Sequence, residues 1–371
     1  MDLWLANIIF SLGISILLTG VIIPQILLIA FRKKLFDVPD ERKIHKSAVP
    51  RLGGIAFMPA IFFSVTSVCG FAMLYEPSQS NSIDYQWIVQ FCFISCSIML
   101  MFLVGLADDL VGVKYRAKFV VQIISAIMLV AGGLWIDNLH GFMWIHELSP
   151  FIGVPLTILV IVFIINAINL IDGIDGLASG LSFAALIIYG TAFFFMKAYI
   201  FAVISFAVVG VLIPFFYYNV FGDAKKRKKI FMGDTGSLTI GLILAYLSLE
   251  LYCISMVYGS ELRANPFIVA FCPLLIPCLD VVRVFMGRIR RHNNPFLPDK
   301  THIHHKLLAI GIPPRLCMVT IVTVALFTST LNIYLSQYID VNILVLLDIG
   351  GWTAGNILLS KRINKINANS N

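Results

Sequence analysis

Four stretches of this chain carry residues that an apolar sequence has little use for unless they do chemistry. Asp108-Asp109 puts adjacent carboxylates at the end of an apolar run. Asn166–Ala178 holds the amides Asn166 and Asn169, the carboxylates Asp172 and Asp175, and the glycines Gly173 and Gly176. Phe231-Met-Gly-Asp-Thr-Gly-Ser-Leu238 comes directly after the basic run Lys225–Lys229. Pro298-Asp-Lys-Thr-His-Ile-His-His-Lys306 carries three of the chain's 7 histidines. Unpaired polar groups are expensive in hydrocarbon, so carboxylates kept beside apolar spans point to function.

Adjacent carboxylates repel unless a cation or a basic group compensates them, and Lys114, Arg116 and Lys118 lie just beyond the first pair. This pattern reads either as an ion-pair cluster at a helix end or as a general base or cation anchor, with Lys118 on a phosphate. Asp172 and Asp175 are three apart, so a helical turn would place them on one face. Gly173 and Gly176 share that spacing and permit a tight turn or close backbone approach. Amide and carboxylate oxygens are the ligands Mg²⁺ prefers, which makes Asn169 a candidate metal ligand. Asp234, set among Gly233, Thr235, Gly236 and Ser237, reads as the cap of the next span or as a ligand to a metal that bridges to phosphate. Backbone N–H groups there would favour an anion. His302, His304 and His305 could bind zinc, but no open-site ligand set is obvious nearby. They read as donors to phosphate or sugar oxygens, with a plain surface loop as the alternative. Arg42–Lys46 and Pro50-Arg-Leu-Gly-Gly54 form a basic loop leading into a glycine-containing span, suited to topology and a turn or to holding an anionic substrate. Asp280 and Arg283 read as a buried structural pair. Asp348 has no partner legible in the sequence.

The elements that must position these residues are membrane helices. The chain has 371 residues, is 59% hydrophobic, and has 13% charged residues, against about 25% in soluble domains. Its mean hydropathy is +0.91. That excludes an ordinary soluble fold and predicts an all-α polytopic membrane protein with a single transmembrane domain over 1–371. Apolar runs near the length needed to cross a bilayer occur at 3–31, 53–75, 86–106, 117–136, 151–170, 177–195, 198–218, 236–257, 265–287, 315–336 and 341–360, about eleven in all. The first lacks a basic leader and a small-residue cleavage site, so it is expected to stay as a span. Pro273 and Pro277 predict a kink in the ninth. The 7 cysteines are scattered without a Cys-x-x-Cys pair, as packing thiols would be.

Of the 27 Lys and Arg, all but Lys197, Arg263, Arg283 and Arg315 fall in 32–52, 107–118, 219–235, 288–314 and the tail after Ser360. The positive-inside rule makes these segments cytoplasmic, together with 171–176. The N-terminus is then outside and the C-terminus cytoplasmic. The net charge of +7 is mostly topological and implies no nucleic-acid partner. Lys225–Lys229 would also attract anionic head groups or a phosphorylated substrate.

In this order, Pro50-Arg-Leu-Gly-Gly54, Asp108-Asp109, Asn166-Ala-Ile-Asn-Leu-Ile-Asp-Gly-Ile-Asp-Gly176, Phe231-Met-Gly-Asp-Thr-Gly-Ser237 and His302-Ile-His-His305 resemble the motifs of the polyprenyl-phosphate N-acetylhexosamine-1-phosphate transferases. The histidine segment resembles the WecA/TagO branch, whose usual donor is UDP-GlcNAc, rather than the MraY branch, which uses a muramyl-pentapeptide nucleotide. The resemblance implies transfer of a sugar 1-phosphate from a UDP-N-acetylhexosamine to polyprenyl (undecaprenyl) phosphate, with release of UMP, on the cytoplasmic face of the plasma (inner) membrane. It implies Mg²⁺, with Mn²⁺ as a substitute, bound by Asp234 and joined by Asn169. It implies that Asp108 and Asp109 handle the lipid phosphate and that Lys118 lies near the substrate phosphates. Phe231 would lie against the uracil, with Gly173, Ile174 and Asp175 completing that pocket. Asn219 matches more loosely, and the insert Gly222–Lys229 departs from the usual spacing. A homodimer is compatible with this reading. The rival classes are a secondary transporter, which would hold its acids near the midplane between repeats, and a non-catalytic lipid-binding factor.

Overall fold

The computed structural model describes residues 2–36, 49–75, 85–258, 264–292 and 301–370. Arg42–Lys46 and Pro298–Lys300 lie outside the described residues. Apolar runs this long satisfy their backbone only as helices in lipid, and thirteen helices follow among the described residues. They are α1 Asp2–Lys33, α2 Phe57–Tyr75, α3 Tyr85–Val111, α4 Tyr115–Ala131, α5 Pro150–Ile171, α6 Leu177–Phe195, α7 Tyr199–Phe216, α8 Gly233–Tyr258, α9 Pro266–Phe271, α10 Leu275–Arg290, α11 Ile303–Ala309, α12 Pro314–Leu335 and α13 Val341–Ser370. A single bridge between Asn138 and Glu147 is the β feature among them.

Among the described residues ten helical segments of 18 or more residues are apolar enough to span a bilayer, and the chain is a multi-pass membrane protein. Helix α4, with 17 residues, lies at the short end of the length that crosses a bilayer and makes the eleventh. Gly132 and Gly133, the latter at φ +98, end it before the apolar run does. The expected kink in the ninth span is a full break: α9 stops, Cys272–Leu274 form a 3₁₀ turn around Pro273, and α10 restarts. Proline removes the backbone donor and crowds the preceding turn, so the α-helical ladder cannot continue there.

The bundle is built around α8. About 89% of its span window is buried, against 11% for α13. Helices α3 and α5 flank it, α6 and α9 pack beside it, and α1 lies against α7. Glycines set the closest approaches. A Cβ at Gly105 of α3 would collide with the backbone of Thr235, and one at Gly54 with the backbone of Gly236. The first turn of α8 is therefore pressed between the end of α3 and the turn leading into α2. Backbone bonds fasten it there: Gly53 N–H donates to Phe231 O at 2.9 Å, Gly54 N–H to Met232 O at 2.9 Å, and Phe231 N–H to Pro50 O at 2.9 Å.

Candidate active site

The polar motifs converge at this corner. Asp108 and Asp109 lie in the last turn of α3, so the loop expected over 107–118 shrinks to the short link before α4. Asp109 accepts from Asp234 N–H with Oδ1 at 2.8 Å, and with Oδ2 from Thr235 N–H at 2.8 Å and Thr235 Oγ1–H at 2.6 Å. It therefore caps the exposed N–H groups of α8, as a carboxylate at a helix N-terminus should. Asp108 turns the other way. Its Oδ1 accepts from Val113 N–H at 2.7 Å, and its Oδ2 accepts from Lys118 Nζ at 3.1 Å. Lys118 Nζ also donates to Asp234 Oδ2 at 2.7 Å. One ammonium thus bridges carboxylates from two helices. The side chains of Asp108, Lys118 and Asp234 keep 18%, 21% and 24% of their surface exposed, so a ligand can reach them.

Asn169, in the last turn of α5, donates Nδ2–H to Ser237 Oγ at 2.8 Å, and Ser237 Oγ–H donates to Gly233 O at 3.0 Å. Its Oδ1 has no protein donor among the described residues and is open for a cation. Among the described residues no three His, Cys, Asp or Glu side chains form a metal cage. That fits Mg²⁺, which keeps its waters and takes one or two protein oxygens plus phosphate oxygens. Asp234 and Asn169 supply that donor set.

Asp172–Gly176 is a turn rather than a helical face, which corrects the expectation for Asp172 and Asp175. Asp172 leaves α5 at φ −74, ψ 58, and Gly176 takes φ +78. The two carboxylates diverge. Asp175 Oδ2 pairs with Lys229 Nζ at 2.5 Å, so Lys229 does more than set topology. Asp172 is exposed at the end of α5, with protein closely packed around it. That surrounding protein, then the negative charge of Asp234, pushes its carboxyl up to about 7; Arg51 pulls the other way, while Asp175 and Asp109 add to the rise. Arg51 is thus the part of the Pro50–Gly54 motif that faces the acids.

Two further expectations change. Asn219 was expected at the substrate, but it is a buried pin. Its Oδ1 accepts from Gly176 N–H at 2.7 Å and its Nδ2–H donates to Ile230 O at 2.9 Å. Both ends of the amide are used to tie the turn to the segment before Phe231. Ile174 is 5% exposed and belongs to the core, so it supports the turn instead of lining an open pocket. Gly173 makes room for a histidine: a Cβ there would strike the ring of His304.

The histidines close the site from the other side. His302 precedes α11, and its Nδ1 lies 2.8 Å from Asp280 Oδ2. Asp280 Oδ1 accepts from Ile303 N–H at 3.0 Å and from Arg283 at 2.7 Å, and Arg283 also donates to Thr301 O at 2.6 Å. Asp280 thus anchors the histidine segment, a role the sequence reading missed. The signal was present, since an ionisable residue inside a span is a functional candidate by default. His304 is 1% exposed. Its ring stacks on His302 at 5.8 Å and 9° and meets His305 at 4.2 Å. Both of its ring nitrogens lack a protein partner among the described residues. Burial, then the charges of His305 and His302, holds its pKa down to about 3, so the ring is neutral. Asp348, unexplained by sequence, accepts from Asn332 Nδ2–H at 2.8 Å and 3.0 Å.

Comparison with known proteins agrees with this arrangement. Residues 91–252 match the family model described as Glycosyl transferase family 4. An undecaprenyl-phosphate alpha-N-acetylglucosaminyl 1-phosphate transferase of Yersinia pestis is 32% identical over 310 residues, covering 82% of this chain and 78% of that one. A probable undecaprenyl-phosphate N-acetylglucosaminyl 1-phosphate transferase of Bacillus subtilis (strain 168) is 30% identical over 358 residues, covering 94% and 92%. The Escherichia coli (strain K12) protein carrying the same name as that of Yersinia is 29% identical over 314 residues, covering 84% and 78%.

Proposed function

The chain belongs to glycosyl transferase family 4, and we propose that it transfers N-acetylglucosamine 1-phosphate from UDP-GlcNAc to undecaprenyl phosphate. The products are UMP and a lipid diphosphate sugar that starts a cell-envelope glycan. The observation that carries this reading is the bridge Asp108–Lys118–Asp234 with Asn169 and Asp172 beside it, assembled from the ends of α3, α4, α5 and α8. Two anionic substrates must meet, and such a cluster can hold cations between them.

Asp234 and Asn169 Oδ1 would hold Mg²⁺, which when bound neutralises diphosphate charge; Mn²⁺ suits the same oxygens. Lys118 offers its ammonium to a phosphate oxygen. Asp108, fixed by Val113 and Lys118, takes the remaining proton of the lipid phosphate. The freed oxygen attacks the phosphorus bonded to the sugar, the P–O bond to UMP breaks, and its electron pair leaves on UMP. Asp109, with both oxygens on the first turn of α8, acts as a positioning residue in this scheme. Phe231, its backbone fastened to Pro50 and Gly53, lies against the uracil beside Gly173 and Asp175. His302, His304 and His305 face the sugar phosphate. The site opens to the cytoplasm of a plasma (inner) membrane protein with its N-terminus outside, as the basic loops support.

The test is UMP release by purified protein from a donor panel of UDP-GlcNAc, UDP-GalNAc and UDP-MurNAc-pentapeptide, with and without undecaprenyl phosphate. Release from UDP-GlcNAc that needs the lipid phosphate and a divalent cation is expected. Release from none of the donors, or release indifferent to the lipid, overturns the proposal.

A further inference from the structure

A second polar region lies on the far side of α11 from the aspartates. A groove of about 520 Å³ runs between α10 and α13, with Lys306 of α11 at its side. No residue of α3, α4, α5, α8 or the 172–176 turn lines it. His304 and Lys306 are two apart on α11 and so face opposite ways: His304 meets Gly173, and Lys306 meets α13.

Both long walls are graded in the same sense. On α10, Leu279, Val282 and Met286 come first, and Arg290 ends the helix with Arg291 beyond it. On α13, Ile349 and Ile357 come first and Lys361 follows. At 1.5 Å per residue each gradient runs over roughly 16–18 Å. That is a largely apolar depth, interrupted by Arg283, Thr353 and Asn356, below a cationic mouth, a profile that suits a phospholipid with its chains inward and its phosphate at the interface. Arg283, Arg290, Arg291, Lys306 and Lys361 line the groove, and no carboxylate does among the described residues.

Two buried donors in lining residues have no partner among the described residues: Trp352 Nε1–H and Arg283 Nε–H. Buried N–H groups are nearly always satisfied, so two orphans in one groove call for an acceptor. Among the described residues Lys306 Nζ meets neutral acceptors, Asn356 Oδ1 at 3.1 Å, Ser360 Oγ at 3.0 Å and Asn356 O at 3.4 Å. Burial, and then the nearby charge of Arg283, holds its ammonium below the usual lysine range.

We infer that this groove binds an anionic glycerophospholipid of the surrounding leaflet, its phosphate on Arg290, Arg291, Lys306 and Lys361 and its ester carbonyls accepting from Trp352 and Arg283. Basic pockets between membrane helices bind such head groups by the same chemistry. The site is distinct from the acceptor site, and its occupation bears on Arg283, the partner of Asp280.

The experiment follows quenching of Trp352 by phosphatidylglycerol with brominated acyl chains, at low mole fraction in phosphatidylcholine nanodiscs. Brominated phosphatidylcholine is the control. Phosphatidylglycerol is expected to quench more, and the excess to vanish in Trp352→Phe. Arg290→Gln with Lys361→Gln should weaken that binding by about tenfold or more, as the loss of two cations near an anionic surface implies. UMP release in phosphatidylcholine alone should stay at the wild-type rate in that variant. Equal quenching by both lipids, or quenching indifferent to the charge substitutions, overturns the inference. Displacement by undecaprenyl phosphate at the concentration that saturates turnover would assign the groove to the acceptor instead. Displacement by inorganic phosphate alone would show an anion site without a lipid.

Discussion

Asp109 closes both carboxylate oxygens on the helix turn that carries Asp234. Neighbours in sequence, Asp108 and Asp109 therefore do different work. One faces a lysine at the open site, and the other holds the frame.

Asp234→Asn should leave folding intact and abolish nearly all UMP release. Asp109→Ala should also lower activity, but together with stability. Hydrogen bonds to a charged group contribute about 1.5–3 kcal/mol each, and three are lost. Thermal unfolding of both variants beside turnover separates the roles. An Asp109→Ala protein as stable as wild type would refute the cap.

Chelation of divalent cations should stop turnover and Mg²⁺ should restore it, with Mn²⁺ acting in its place. The Asp234→Asn protein should show no recovery at any concentration. Asn169→Ala should raise the Mg²⁺ concentration needed for half-maximal rate while keeping the maximal rate within about tenfold, since one neutral ligand is lost and waters can replace it.

Asp280→Asn should be costly twice over. It leaves Arg283 without its buried counter-charge, an effect of about 3–5 kcal/mol, and it frees His302 to rotate. Steady-state assays should show a higher KM for the UDP-sugar as well as a lower kcat. Asp280→Glu should recover part of the KM effect. A normal KM in a folded Asp280→Asn protein would remove the histidine segment from donor binding.

His304 supplies a pH test. Its folded pKa, about 3, lies below the ordinary histidine value of 6.5. Between those values the unfolded chain binds a proton that the folded ring refuses. Stability is therefore fully present above pH 6.5 and is lost as pH falls, by about 1.4 kcal/mol per pH unit. The unfolding temperature should drop from pH 7 to pH 5 more steeply in wild type than in His304→Asn. Parallel slopes would mean the ring is charged in the folded protein.

Gly54→Ala and Gly105→Ala each put a methyl into the backbone of α8. Each should lower the unfolding temperature and cut turnover well beyond what a surface glycine such as Gly350 would, where no neighbour lies within 4 Å. Unfolding curves and UMP release on the three variants decide it.

The spans were legible because apolar length is a direct demand of the bilayer. So was the gathering of the acids, since residues that lipid disfavours have few other places to go. What was not legible is which way each polar side chain turns. Asp108 and Asp109 are chemically identical, and their division depends on Gly105 admitting Thr235 against α3. Asn219 sits in a π-type turn, Tyr217–Phe221, that directs its amide at Gly176 and Ile230; nothing in local sequence fixes that direction. Asp280 and Arg283 suggested a closed pair at i,i+3, while the third partner, His302, came from a segment far along the chain. The early end of α4 was written in Gly132-Gly133, but the apolar residues around those glycines masked it.

The glycine contacts at α8 also order events during synthesis. Pro50–Gly54 and Gly105 leave the ribosome long before Thr235 and Gly236 against which they lock. A nascent polypeptide stalled ahead of α8 can thread its early helices into the bilayer yet cannot build the acidic corner. The bridge Asp108–Lys118–Asp234 is completed only when translation has passed into that helix, so a product truncated before it lacks the bridge.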